Sequence, residues 1–312
     1  MLLQPISTQL SKARRILLAG CGGGYDVMGA VPLLVDLLAA GHDVALANHS
    51  FCNLAELPGV LQDTEVDCLY EVPSTAAASD RYCPEAWIAR WCAESLGKEI
   101  PSWAFAKKGS RPLHAAYQRL ISLHDFDAIV LIDGGIDAIL RGNESSLGTP
   151  AEDLASLAAV SRLEVPIKLI ACVGFGGEMR DGICHDQVFD RIAELTALGA
   201  NLGSATLLAQ TLAGQRYLEA VDYVFTNQEG QRTSHIHKVV SAAVRGESGS
   251  RGEHVWLSPL LNQFWFFDLM GVTDSHLFLE HLWDTQESWD VSARIEGLRK
   301  AVDVLPRSRI PI

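Results

Sequence analysis

Residues 15–48 read as strand, glycine turn, helix and strand, in that order. Ile16–Ala19 is a short apolar run of the kind that forms a fully buried strand. Gly20–Gly24 turns the chain. Ala30, Leu33, Leu34, Leu37 and Leu38 then recur at helical spacing until Gly41 stops the helix. Val44–Ala47 is a second short strand. A crossover of this type joins parallel strands and is the building unit of a doubly wound sheet.

The alternation continues along the chain. Cys68–Val72 reads as a third strand, and helices start near Pro84 and Pro112. Ala128–Ile132 is a central strand that ends in Asp133-Gly134-Gly135, and Ile167–Val173 is another that ends in Gly174-Phe175-Gly176-Gly177. Between them, Thr149-Pro150-Ala151-Glu152 has the form of a capping box with proline at the first helical position. Helices are expected near 186–199, 204–214 and 232–245, and the last strands at Tyr223–Thr226 and Val255–Leu257. The expected fold class is α/β, a doubly wound, mostly parallel sheet over residues 1–245 with helices on both faces. Residues 246–312 are expected to form a helical, aromatic-rich appendage packed on that sheet, with 246–252 as a flexible link. Its Trp256, Phe264, Trp265, Phe266, Phe267 and Trp283 serve packing or a homo-oligomer contact. The length of 312 residues also suits one single domain.

Composition narrows the function. The chain is 48% hydrophobic and carries a formal charge of −13, so it supports a large core and is a poor counterion for phosphate backbones. Nucleic acid and anionic membrane are excluded as main partners, and a small-molecule ligand is expected instead. Seven scattered cysteines without a CxxC pair, no signal peptide and no long apolar run point to free thiols in a cytoplasmic protein.

Ligands of open α/β sheets sit beyond the carboxyl ends of the strands, where the strand order reverses. If the usual order holds, the first and fourth strands are neighbours there. The loops at Gly20–Asp26 and Asp133–Glu144 then flank one crevice, joined by Gly174–Asp186. In the first loop, Gly22, Gly23 and Gly24 allow close backbone approach to an anion. The spacing is not GxGxxG, and the second strand ends in Asn48 where a dinucleotide enzyme carries an acid for the ribose. Both departures disfavour NAD(P). Asp26 either caps the next helix or faces the crevice, as Asn48 does in the ligand-binding reading. In the second loop, Asp133, Asp137 and Glu144 with Gly134, Gly135 and Arg141 suit sugar hydroxyls, Mg2+ held through water, or a general base. No metal-ligand spacing is present, so no metal ligands are assigned, and Glu152 is left to the capping box. The third loop offers His185 as an acid–base residue and Gly174 and Gly176 as ligand-approach points, with Cys184 as a core residue. His235 and His237 are expected to flank a buried helix face.

The segments GCGGGYDVMGA, IDGGIDAILRGNESSLGTPAEDLASL and GFGGEMRDGICHD together resemble the domain-of-unknown-function family 1152. Ile136 stands where the family pattern has threonine, and Asn143 where it often has an acid. The resemblance implies a Rossmann-like fold and carries no established activity. The loops themselves lead to an enzyme of group transfer or hydrolysis acting on a nucleotide- or phosphate-bearing metabolite. Asp133, Asp137, His185 and Glu144 are its catalytic candidates. The alternatives are a non-catalytic binding or sensor protein, an oligomeric scaffold, and an NAD(P)- or flavin-dependent oxidoreductase.

Overall fold

The computed structural model describes residues 5–78, 82–228, 233–251 and 255–307. Expectations placed on positions 1–4, 232 and 252 lie outside them. Strands β1 (Arg15–Gly20), β2 (Asp43–His49), β3 (Leu61–Gln62), β4 (Leu69–Glu71), β5 (Ser102–Phe105), β6 (Ala128–Asp133), β7 (Ile167–Val173) and β8 (Asn201–Thr206) come first. Strands β9 (Gly249–Arg251), β10 (Val255–Leu257) and β11 (Gln263–Asp268) follow. Nine strands form one sheet in the order β3-β4-β5-β2-β1-β6-β7-β11-β8, and β9 and β10 make a separate antiparallel ribbon.

The run β5-β2-β1-β6-β7 is parallel throughout. The chain builds outward from β1 to one side, then returns to place β6 on the other. The β1–β6 boundary is therefore the switch point, and the loops after Gly20 and Asp133 flank it as the sequence implies.

Helices cover both faces. On one lie α2 (Asp26–Gly29), α3 (Val31–Ala39), α4 (Pro84–Ser95), α8 (Leu212–Asn227) and α9 (His235–Val244), packed on Ile16, Leu18, Val130 and Ile132. On the other lie α5 (Ser110–His124), α6 (Pro150–Ser161), α7 (His185–Ala197), α10 (Leu269–Asp274) and α11 (Ser288–Arg299), packed on Leu17, Ala19, Ile129 and Leu131. The remaining helix, α1 (Pro5–Leu10), precedes β1. The period-two alternation along β1 and β6 divides these two cores, and every one of those strand residues is fully buried.

Several local expectations need correction. Residues 69–71 form a strand, but it is antiparallel to its neighbour; the third parallel strand is β5. Residues 204–214 are not a helix. They hold the end of β8 and a turn, and α8 begins only after Thr211, whose Oγ1 accepts a hydrogen bond from the Gly214 N–H at 3.0 Å. Tyr223–Thr226 lies inside α8, where Tyr217, Ala220, Val221 and Val224 form the buried stripe. The aromatic run at 264–267 is strand β11, hydrogen-bonded between β7 and β8 and antiparallel to both. Residues after 246 thus complete the main sheet. Phe264, Phe266 and Phe267 face its cores, and Trp256 remains 66% exposed on the ribbon. The seven cysteines are free. Among the described residues, no helix is long and apolar enough to cross a membrane.

Candidate functional site

The glycine loop after β1 is shaped by its contacts with β2. The Gly24 N–H donates to the His49 carbonyl at 2.9 Å. Gly23 has φ +86°, and a Cβ there would lie 2.2 Å from the same carbonyl oxygen, so only glycine fits. Asn48 is fully buried beneath the loop, and its Nδ2 donates to the Gly24 carbonyl at 2.8 Å and to Glu85 Oε1 at 2.7 Å. Its place is to hold the loop against β2.

Asp26, at the start of α2, closes the loop. Its Oδ2 accepts from the N–H groups of Gly22 and Gly23 at 2.7 and 2.9 Å. Its Oδ1 accepts from the Gly134 N–H at 3.1 Å, across the switch point. Successive backbone N–H groups of this kind form a concave anion nest. Here the anion in the nest is the protein's own carboxylate, and the N–H groups of Gly22 and Gly23 are committed to it. Burial pushes the Asp26 carboxyl up to about 7 even against these hydrogen bonds.

Two further acids meet Asp26. Asp133 ends β6, and its Oδ2 accepts from the Ala138 N–H at 3.2 Å. Asp153 lies in the first turn of α6, 2% exposed, with an Oδ1 that is buried and has no hydrogen-bond partner. One carboxylate oxygen from each of Asp26, Asp133 and Asp153 lies within 4.8 Å of the other two. Two charges at such a separation repel by roughly 3 kcal/mol at an effective dielectric of about 20. Burial first, then the neighbouring acids, raises Asp133 and Asp153 well above the ordinary carboxylate range.

Asp137 and Glu178 extend the cluster. They occupy the short 3-10 turns Asp137–Ile139 and Gly177–Asp181. Their side chains share a hydrogen bond, and both are raised, chiefly by burial. Glu178 Oε2 accepts from the Ile136 N–H at 2.7 Å, and Asp137 Oδ2 from the Thr149 N–H at 2.9 Å. A Cβ on Gly135 would lie 2.5 Å from the Glu178 carboxylate, so this glycine makes room for an acid. The capping box at Thr149 does not form. Glu152 instead pairs with Lys107 at 2.7 Å.

These groups line a cavity of about 210 Å³ at the carboxyl ends of the parallel strands. Asp26, Asp133, Asp153, Asp137 and Glu178 are among its lining residues. Lys107, Glu152 and Phe51 line it too, and Phe51 is 45% exposed. Lys107 is the one cation among the described lining residues, and its Nζ stands 4.5 Å from the Phe51 ring centroid. Beside them His49 is fully buried with neither ring nitrogen partnered, and desolvation lowers it to about 4. A wider hollow of about 540 Å³ opens at the opposite, amino ends of β1 and β2 near Arg15, Asp43 and Lys98.

The crevice therefore gathers Gly22, Gly23, Asp26, Asp133, Gly134 and Asp137 from the residues singled out in the sequence. Others lie elsewhere. Glu144 folds back on its own loop and accepts from the N–H groups of Arg141 and Gly142 at 2.7 and 2.8 Å. Arg141 is half-exposed, 3.9 Å from Glu194. His185 packs edge-on against Phe175 with its Nε2 buried and unpartnered. Gly174 and Gly176 have φ of +106° and +99° and pack on Ile236 and His185. His237 is buried rather than flanking, bonded through Nδ1 to the Tyr217 hydroxyl at 2.8 Å.

The sequence reading missed Asp153, Glu178, Glu152, Lys107 and His49. One signal for Asp153 was available: an acid beside Glu152 in a helix that starts at the central crevice. The others depend on the three-dimensional approach of separate loops.

The donor set suits a hard divalent cation. Oxygens that share one Mg2+ or Ca2+ at about 2.1–2.5 Å lie no more than about 4–5 Å apart, and the Asp26, Asp133 and Asp153 oxygens meet that limit. A family model described as "Protein of unknown function (DUF1152)" matches residues 17–299. None of the curated proteins and none of the solved structures matches the chain. The three loops that build the crevice all fall inside the matched span, and the chain belongs to the DUF1152 family.

Proposed function

We propose that the crevice is the active site of a divalent-cation-dependent enzyme. Its reaction is hydrolysis or group transfer on a small phosphate-bearing metabolite. The observation that carries this reading is the convergence of Asp26, Asp133 and Asp153 from three segments onto one point, with Asp153 Oδ1 buried and unpartnered. A buried carboxylate oxygen without a donor is costly. Asp153 Oδ1 has no such donor, and a cation held between it and the oxygens of Asp26 and Asp133 would offset both that cost and the repulsion among the three carboxylates.

The saturated glycine nest bears on how phosphate is held. With the Gly22 and Gly23 N–H groups committed to Asp26, a phosphate has no backbone cradle in this loop. Asp26, Asp133 and Asp153 would hold a divalent cation, which would supply stabilisation of the charge that develops on a bound phosphate. Asp26, fixed by backbone donors, sets the position of the first ligand oxygen. Asp137 and Glu178 are hydrogen-bonded to each other and both raised, chiefly by burial, which suits one of them to protonate a leaving oxygen. Lys107 supplies the positive charge that turns an anionic substrate toward the crevice.

The test is Mn2+ titration followed by electron paramagnetic resonance, with Asp133→Asn and Asp153→Asn as variants. Wild type should take up Mn2+, and each variant should bind it more than about tenfold more weakly. Asparagine keeps the shape of the carboxyl and carries no charge to bury, so thermal melting should show both variants folded. A set of phosphate monoesters assayed with Mg2+ or Mn2+ should then be turned over by wild type alone. Equal Mn2+ affinity in all three proteins would sink the reading.

A further inference from the structure

The cavity is smaller than most ligand pockets. Ligand pockets commonly span about 300–1,000 Å³, whereas this one holds about 210 Å³. A substrate larger than this volume would extend past the mouth. Two features define that mouth. Phe51 follows the buried end of β2 yet keeps 45% of its surface exposed. Lys107 lies over its ring and against Glu152. An aromatic side chain left open at the mouth of a polar cavity, with a cation parked on it, is a stacking surface beside an anion site.

We infer that Phe51 and Lys107 form the recognition edge for an aromatic phosphate of the nucleoside monophosphate class. Phe51 stacks the base and Lys107 takes the phosphate. This rests on the cation reading of the acids. Lys107 is held at present by one carboxylate, Glu152, and by the ring. A phosphate carries more charge and draws the ammonium inward, and the ring face it leaves receives the base. The Gly24 backbone packs against the edge of the Phe51 ring, where a Cβ would lie 3.1 Å from Cε2. That contact keeps the ring in place while the lysine moves.

The experiment is calorimetric titration of the full chain in Mn2+ with two probes, adenosine 5′-monophosphate and ribose 5-phosphate. Wild type should bind the nucleotide more tightly. Phe51→Leu, which keeps the apolar bulk and loses the ring, should weaken the nucleotide by roughly tenfold and leave ribose 5-phosphate within about twofold. Phe51→Trp should restore the nucleotide. Lys107→Ala should weaken both probes alike, by roughly tenfold. Equal wild-type affinity for the two probes, or no binding of either, overturns the inference. So does an equal loss of both in Phe51→Leu. Titration with Mn2+ alone separates the two levels. Mn2+ uptake without discrimination between the probes removes only the aromatic site, whereas absence of Mn2+ uptake removes the cation reading beneath it.

Discussion

At Gly23 the backbone leaves no choice of residue, because φ is +86° and any Cβ meets the His49 carbonyl. Gly23→Ala should lower stability by about 2–3 kcal/mol, read from chemical denaturation. Mn2+ titration of the same variant should show weakened cation affinity, since the Gly23 N–H is one of the donors that fix Asp26. Asn48 is the neighbouring case. Its Nδ2 donates to both Gly24 and the buried Glu85, so Asn48→Ala removes a donor from each and should cost about 1–3 kcal/mol. An unchanged denaturation midpoint in Asn48→Ala would contradict the structural role given to it. Asn48 was read from the sequence as a ligand contact, because a polar residue at a strand end looks the same whether it faces a crevice or supports a loop.

Among the elements, the parallel core was legible because its signal is local. Ile16–Ala19, Ala128–Ile132 and Ile167–Val173 are largely apolar runs with glycine one or two residues beyond, and each is a central strand. The glycine loops locate the crevice for the same reason. Legibility failed where the partner decides the structure. Ser102–Phe105 is four residues long and becomes a strand through β2 on one side and β4 on the other. Asn201–Thr206 contains glycine and little apolar bulk, and it becomes a strand only through β11. Tyr223–Thr226 has the composition of a strand but continues the helical stripe of α8. The acids divide along the same line. Asp133 stands at a strand end before two glycines and Asp137 follows in the same short loop, whereas Glu178 and Asp153 reach the crevice only because β7 and α6 pack beside β6. The weight of β11 can be measured. Phe267 is fully buried, and Phe267→Ala should cost about 3–5 kcal/mol in the unfolding free energy. A loss below about 1 kcal/mol would mean that the sheet does not depend on this strand.

For the whole molecule, the acid cluster couples stability to pH and to cations. Carboxyls raised in the folded state, such as Asp153 and Asp26, keep their protons while the unfolded chain releases its own near pH 4. The unfolded state then binds fewer protons, so their contribution to stability falls as pH rises from about 4 to 7. His49 and His237, both lowered to about 4, act oppositely between about 4 and 6.5. The carboxyl effect is therefore read as a difference. In chelator, the melting temperature of Asp153→Asn relative to wild type should climb with pH from 5 to about 8. Millimolar Mg2+ should raise wild type more at pH 8 than at pH 5. A difference that stays flat with pH would mean that Asp153 ionises freely in the folded protein. The insertion of β11 between β7 and β8 has a consequence of another kind. Chains emerge from the ribosome amino end first, so β7 is made well before the strand that pairs with its outer edge. While residues 174–262 are being synthesised, that apolar edge has no partner, and β8, which pairs in the sheet only with β11, has nowhere to dock. The nascent chain carries an open sheet edge of the kind that recruits chaperones or other chains, and the sheet closes only after the last aromatic segment has left the tunnel.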